Sequence, residues 1–163
     1  MKRNLPSWKK GYRLLLKFKR IVGILLLTFI VIYFFQSHAL KTEDYFLISE
    51  NNIIKLNLEI AEDTSDIRKG LSNRDHLAKD NGMLFIFNKP KNLKFWMDNT
   101  RIPLDLFYLD KNLIIREIHH NLKPYSKKII ESEHPYSYAL EVNAGFADHH
   151  NIKPGDKLIK ASN

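Results

Sequence analysis

The chain has 163 residues, no cysteine and a formal net charge of +8. Residues 1–20 hold eight of the 26 basic residues and no acid, which leaves 18 basic against 18 acidic residues over 21–163. A domain that binds nucleic acid carries its positive charge on the folded part, so nucleic-acid binding is not expected. The lack of cysteine excludes disulfides, thiolate metal sites and thiol nucleophiles.

An uncharged apolar run follows this basic tail. It starts at residue 21 and continues to Leu40, and as a helix rising about 1.5 Å per residue it approaches the roughly 30 Å of a bilayer core. We therefore expect residues 21–40 to contact the lipid bilayer as a single-pass anchor in a bacterial inner (cytoplasmic) membrane. The basic tail 1–20 would be cytoplasmic and the following domain periplasmic or outside the cell. Small residues before Ala39 also suit a signal peptidase, and cleavage there would secrete the domain.

Short strands are predicted over the rest of the chain. Residues 41–52 are interpreted as a linker and first strand, and residues 53–163 as the exported β-rich domain. Apolar and polar residues alternate over Ile54–Ile60, which indicates a strand with one buried face. Asp63 or Thr64 is expected to cap a short helix after it.

Six further strands follow in the sequence, at the spacing typical of all-β domains. They cover Met83–Phe87, Leu93–Met97, Leu104–Leu109, Leu113–Ile118, Tyr136–Val142 and Lys157–Lys160. Residues 119–134 are expected to form a long connection, and Asn143 to cap a second short helix. The pattern predicts a mainly β fold, a small antiparallel β-sandwich or barrel with one or two short helices, preceded by an N-terminal transmembrane helix.

Several sequence blocks resemble the domain-of-unknown-function 192 family. They are Leu58–Ala61, Arg68–Arg74, Gly82–Phe87, Phe95–Asp105, Tyr138–Phe146 and Ile152–Asp156. The resemblance covers about residues 54 to 160. It implies a small, mostly β domain, often exported or anchored by an N-terminal hydrophobic segment, and it implies no established activity. Asp98 departs from the family pattern, in which Lys is common, and Ser72-Asn73 replace a bulkier, more apolar pair.

Two carboxylates, Asp105 and Glu141, are candidates for a functional role. Asp105 is the only charged residue in an apolar strand, where a buried carboxylate needs partners or a raised pKa. It would act as an acid, base or ligand contact, or accept N–H groups of the loop near Asn99 and Thr100. Glu141 shares a strand face with small residues, so it would lie at a pocket floor or on a solvated face. Asp105 and Glu141 would form a hydrolytic pair only at a separation of roughly 5–9.5 Å.

Trp96 and Arg74 each allow a ligand-binding and a structural interpretation. Trp96, on the polar face of its strand, would stack on a flat ligand or fold over the barrel end as core. Arg74 would clamp an anionic ligand, or pair with Asp75 or Asp105 inside the fold. The histidine pairs at 119–120 and 149–150 lack chelating spacing, so no metal site is expected, and no motif indicates a cofactor.

These observations favour a non-catalytic extracytoplasmic module that binds a small molecule or an envelope component. The expected site is a groove between Trp96–Thr100 and Glu141–Asn143, with Arg74 and Asp105 as polar contacts. The predicted ligand-binding residues are Arg74, Trp96, Asn99, Thr100, Asp105, Glu141 and Asn143. The alternatives are a hydrolase that uses Asp105 and Glu141, or an assembly partner of other envelope proteins.

Overall fold

The computed structural model describes residues 7–36 and 40–162. The chain divides into two units, Met1–Ala39 and Leu40–Asn163, and the first contains helix α1, Ser7–Gln36. Across the described residues, no helix combines the length and the apolarity that crossing a bilayer requires. The transmembrane helix predicted for 21–40 is not found among the described residues, and residues 37–39 of that stretch lie outside them. The predicted cleavage after Ala39 lies outside the described residues.

The second unit is mainly β, with two short helices. Its elements are β1 Thr42–Ile48, β2 Ile53–Ala61, α2 Thr64–Lys69, β3 Asn81–Lys91, β4 Lys94–Phe95, β5 Leu104–Leu109, β6 Ile115–Leu122, β7 Ile130–Glu131, β8 Tyr136–Asn143, α3 Phe146–His150 and β9 Lys157–Lys160. Seven strands form one sheet in the order β6-β5-β8-β3-β2-β1-β9, and β4 pairs with β7 in a second sheet. The prediction of a mainly β domain with short helices is confirmed.

The large sheet curls into a half-barrel, which differs from a two-layer sandwich. Its edges meet at one point, where Ile114 bridges Lys157 and the Ile115 N–H donates to the Asp156 carbonyl at 2.8 Å. The sheet is also not wholly antiparallel, because β2 and β3 run parallel. Residues 62–80, which include α2, supply the crossover that a parallel pair requires.

Each face of the sheet buries its own apolar cluster, because successive residues of a strand point to opposite faces. The inner cluster includes Leu58, Phe107, Leu140 and Val142. The outer cluster contains Met83, Phe85, Leu106, Tyr108 and Ala139, together with Leu71, Leu93 and Met97 from the covering segments. All six residues of β5, which lies between β6 and β8, are buried, which explains why its sequence is apolar at nearly every position.

Three local predictions were wrong. The strand predicted over 93–97 is reduced to β4, whose partner β7 lies inside the predicted long connection. Asn143 does not cap α3. Gly145 precedes that helix with φ 80°, a left-handed conformation that glycine adopts without steric cost.

At Gly82, β3 lies closer to β8 than a residue with a Cβ atom would allow. A Cβ there would lie 2.6 Å from the Glu141 carbonyl oxygen and about 3 Å from the side chains of Leu58 and Val142. We expect Gly82→Ala to lower the free energy of unfolding by about 1–3 kcal/mol, because backbone atoms must move apart. Urea denaturation measures this loss.

The matched control is Gly23→Ala, where a Cβ would meet no atom within 4 Å. It should leave the urea midpoint of the β domain unchanged. An unchanged midpoint for Gly82→Ala as well would contradict the close approach of the two strands.

Candidate functional site

A cavity of about 400 Å³ lies on the outer face of the sheet, between α2 and β4. Its walls are mostly apolar and come from Ile67, Leu71, Phe85, Phe87, Leu93 and Phe95. Small-molecule sites typically occupy about 300–1,000 Å³ and are lined by apolar side chains with few polar groups. The cavity therefore has the size and the lining of a small-ligand site.

Glu141 is the buried polar group of this cavity. It lies in β8 between Met83 of β3 and Leu106 of β5, and the residue is 6% exposed. Within the described structure its Oε2 has no hydrogen-bond partner, and it lies 3.8 Å from the position a Cβ would take on Gly70. An unpaired buried carboxyl oxygen is costly, so a ligand that paired with it would remove that cost.

The ionisation of Glu141 is shifted by its surroundings. Burial raises the pKa of its carboxyl from the ordinary 4.5 to about 8, against a smaller opposing effect of the Arg74 guanidinium. At neutral pH the group is therefore mostly protonated. A protonated carboxyl offers one O–H donor and also accepts hydrogen bonds.

Arg74 forms an internal ion pair, but with neither of the predicted partners. Its guanidinium binds both carboxylate oxygens of Glu59, with Nη2 at 2.6 Å from Oε2. Asp75 and Asp105 are not involved. Glu59 pairs across the sheet with Met83, the neighbour of Glu141, so the ion pair lies on the same face as Glu141. Arg74 is thus engaged by the fold and does not line the cavity.

The two candidate catalytic carboxylates lie on opposite faces of the sheet. Asp105 pairs with Val142 across β5 and β8, whereas its neighbour Leu106 pairs with Glu141. Because paired residues point to one face and adjacent residues to the other, the sheet separates Asp105 from Glu141. The hydrolytic pair proposed from the sequence is not formed.

Asp105 has a structural role. It is fully buried, and its two oxygens accept hydrogen bonds from the backbone N–H of Asn121 at 2.8 Å and of Ala147 at 2.9 Å. The prediction that it accepts backbone N–H groups was correct in kind, but the donors belong to β6 and α3 and not to the loop near Asn99. The carboxylate joins three elements of the inner core.

Two other predicted site residues do line the cavity with Glu141. Thr100 is 5% exposed and Trp96 is 49% exposed, and both contribute to the lining. The interpretation of Trp96 as core was wrong. Its neighbour Phe95 turns inward and contacts Phe85 edge to face, with ring centroids 5.0 Å apart, which leaves the indole at the opening.

The remaining two predicted residues, Asn99 and Asn143, hold loops in place outside the cavity. Asn99 has φ 58°, and its carbonyl accepts a hydrogen bond from the Asn73 N–H at 2.8 Å. The Asn143 amide donates to the carbonyls of Leu77 and Ala78 at 3.2 and 3.0 Å. Both fix the covering segment 71–80 over the sheet.

Sequence reasoning missed the basic residues around the opening. Arg68 and Lys69 end α2, and Lys91 and Lys94 flank the turn into β4; all four are exposed and line the cavity. Gly70 directly follows Arg68 and Lys69 at the end of α2. Its φ of 50° ends α2 and places backbone instead of a side chain against Glu141.

Within the described residues no group of three or more His, Asp or Glu side chains could hold a metal.

Comparisons with known proteins identify relatives. A crystal structure from Sinorhizobium meliloti 1021, described as a candidate transcription regulator, superposes with a TM-score of 0.73 at 37% identity over 75% of this chain and 95% of that one. A protein of unknown function from Novosphingobium aromaticivorans DSM 12444 gives 0.72 at 31% identity over 74% of this chain and 86% of that one. No curated protein matches. The family DUF192, described as "Uncharacterized ACR", matches residues 47–159, and the chain belongs to this family.

Proposed function

We propose that the β domain is a non-catalytic binding module for a small, largely apolar molecule, which occupies the cavity and hydrogen-bonds to Glu141. One observation carries the proposal. Within the described structure the Oε2 atom of Glu141 is buried without a partner in a cavity whose walls are mostly apolar. A protonated carboxyl there favours a neutral carbonyl, hydroxyl or amide group on the ligand.

The shape and stiffness of the walls support a flat ligand. Phe95 lies between Phe85 and Tyr108, with centroids 5.0 and 5.9 Å away, and the Tyr108 hydroxyl donates to the Ile130 carbonyl at 2.8 Å. Such interlocked rings hold their positions, which lowers the entropy cost of binding. The exposed indole of Trp96 at the opening is suited to stacking on a ring.

The site geometry gives no support to turnover. Asp105 and Glu141 are separated by the sheet, so the hydrolase alternative loses its carboxylate pair. We do not propose that this chain binds DNA, although the Sinorhizobium relative is described as a candidate transcription regulator. Positive and negative charges balance over residues 21–163, whereas a DNA-binding domain carries an excess of basic residues.

Filling the cavity is the test of this proposal. Ile67 lines the cavity from α2, and Ile67→Trp would place an indole in it. We expect the full chain to bind the neutral fluorescent probe N-phenyl-1-naphthylamine, and Ile67→Trp to weaken that binding by about tenfold or more, since an occupied pocket cannot bury the ligand. Fluorescence titration gives Kd.

The control is Ile53→Trp, because Ile53 is 72% exposed in β2 and does not line the cavity. It should bind the probe like the wild type. Equal binding by all three proteins, or no binding by any of them, would contradict the proposed function.

We also propose, on the sequence alone, that residues 21–40 attach the domain to a membrane or direct its export. The support is the basic tail followed by an uncharged apolar run, the order typical of a membrane-directed N-terminal segment. Carbonate extraction of membranes from cells expressing the full chain tests this. Recovery of the intact chain in the soluble cytoplasmic fraction would count against it.

A further inference from the structure

We propose that the ligand is a small organic anion, whose carboxylate, sulfonate or phosphate lies among Arg68, Lys69 and Lys91 at the cavity opening while its apolar body fills the interior. This inference rests on the proposed function, because it assigns the charge of the ligand in the same cavity. A volume of about 400 Å³ suits a ring system or one short chain and is too small for the two acyl chains of a membrane lipid.

The first support is the sign of the charges around the opening. Four basic side chains line it, and among the described lining residues Glu141 is the only acid. Burial raises the pKa of Glu141 to about 8, so at neutral pH it cancels little of this charge. The rest of the domain has no excess of basic residues, because residues 21–163 contain 18 basic and 18 acidic residues. The positive charge is therefore local to the cavity.

The second support is that three of these cations have no carboxylate of their own. Lys94 binds Glu131 at 3.1 Å. Within the described part of the chain Arg68, Lys69 and Lys91 form no ion pair. Lys91 Nζ instead lies 4.5 Å from the ring centroid of Phe87. Exposed cations at the edge of an apolar pocket attract an anion while its hydrocarbon part is buried.

The arrangement also disfavours a cationic ligand. A positive group at the opening would lie among four like charges. Like charges brought together at a binding surface exclude the wrong partner. The cavity therefore selects for negative charge outside and neutral polarity inside.

Two probes with one skeleton test the inference. 1-Anilinonaphthalene-8-sulfonate differs from N-phenyl-1-naphthylamine by its sulfonate. We expect the full-length wild type to bind the sulfonate at least as tightly as the neutral probe, and Lys69→Gln/Lys91→Gln to weaken sulfonate binding by about tenfold while changing neutral-probe binding less than about twofold. Raising the salt concentration should weaken only sulfonate binding to the wild type.

The control removes the same charge elsewhere. Lys111 and Lys157 are exposed and do not line the cavity, so Lys111→Gln/Lys157→Gln should bind both probes like the wild type. Binding that persists in Ile67→Trp is assigned to other surfaces and subtracted. If the neutral probe binds in the cavity but the sulfonate binds no better and is insensitive to the Lys69/Lys91 change, the anion inference fails and the proposed function stands. If neither probe depends on the cavity, both fail.

Discussion

Glu141→Gln is expected to abolish most of the decline in stability that the wild-type domain shows between about pH 4.5 and 8. Burial raises the pKa of the folded carboxyl to about 8, against an ordinary 4.5. In that window the folded state binds more protons at Glu141 than the unfolded state does, so the contribution of Glu141 to stability is greatest below pH 4.5 and falls as pH rises. The slope is about 1.4 kcal/mol per pH unit for one group.

The measurement is urea denaturation of both proteins at several pH values from 4.5 to 9. The difference between the two free energies of unfolding isolates residue 141, because other groups contribute equally. Glu133→Gln serves as the control, since Glu133 is exposed and its removal should leave the wild-type slope intact. A difference that does not change with pH would mean that Glu141 ionises as it does in water.

Asp105→Asn is expected to lower the free energy of unfolding by about 2–4 kcal/mol at neutral pH. Both carboxylate oxygens accept backbone N–H groups, from Asn121 and Ala147. An amide of the same shape offers one oxygen, so its NH₂ group would face one of these donors in a fully buried place. Leaving buried donors unpaired costs more than an average hydrogen bond contributes.

The loss is measured by urea denaturation, with Asp63→Asn as the matched control. Asp63 precedes α2, and its side chain makes no capping hydrogen bond, so the change should stay within about 0.5 kcal/mol. Probe binding separates the two carboxylates further. Asp105→Asn should bind N-phenyl-1-naphthylamine normally wherever it is folded, and loss of binding in the folded variant would contradict its placement away from the cavity.

Local features of this fold could be predicted from the sequence because they depend on local chemistry. Alternation over Ile54–Ile60 correctly predicted the strand β2 and its buried face, and the apolar run containing Asp105 predicted the buried strand β5. The same apolar run showed that burying the Asp105 carboxylate is energetically unfavourable unless it has hydrogen-bond partners. Its hydrogen-bond donors could not be named, because β6 and α3 reach it only after the sheet has curled.

The candidate site depended on pairings between strands that are distant in the sequence. Glu141 and Asp105 appeared equivalent until the register of β5 against β8 placed them on opposite faces. Arg74 pairs with Glu59 because β2 and β3 are parallel and the crossover returns over the sheet, whereas the sequence suggested Asp75 or Asp105. The basic opening combines residues from α2 with residues beside β4, and no single segment shows that grouping.

The central claim is that Glu141 is a neutral carboxyl facing a ligand cavity, and a carbon NMR titration of its side-chain carboxyl in the full chain tests it most directly. The predicted result is a pKa of about 8 that rises further when N-phenyl-1-naphthylamine binds, because a bound apolar molecule excludes water from the charged form. A pKa near the ordinary 4.5 that the probe does not move would contradict the account.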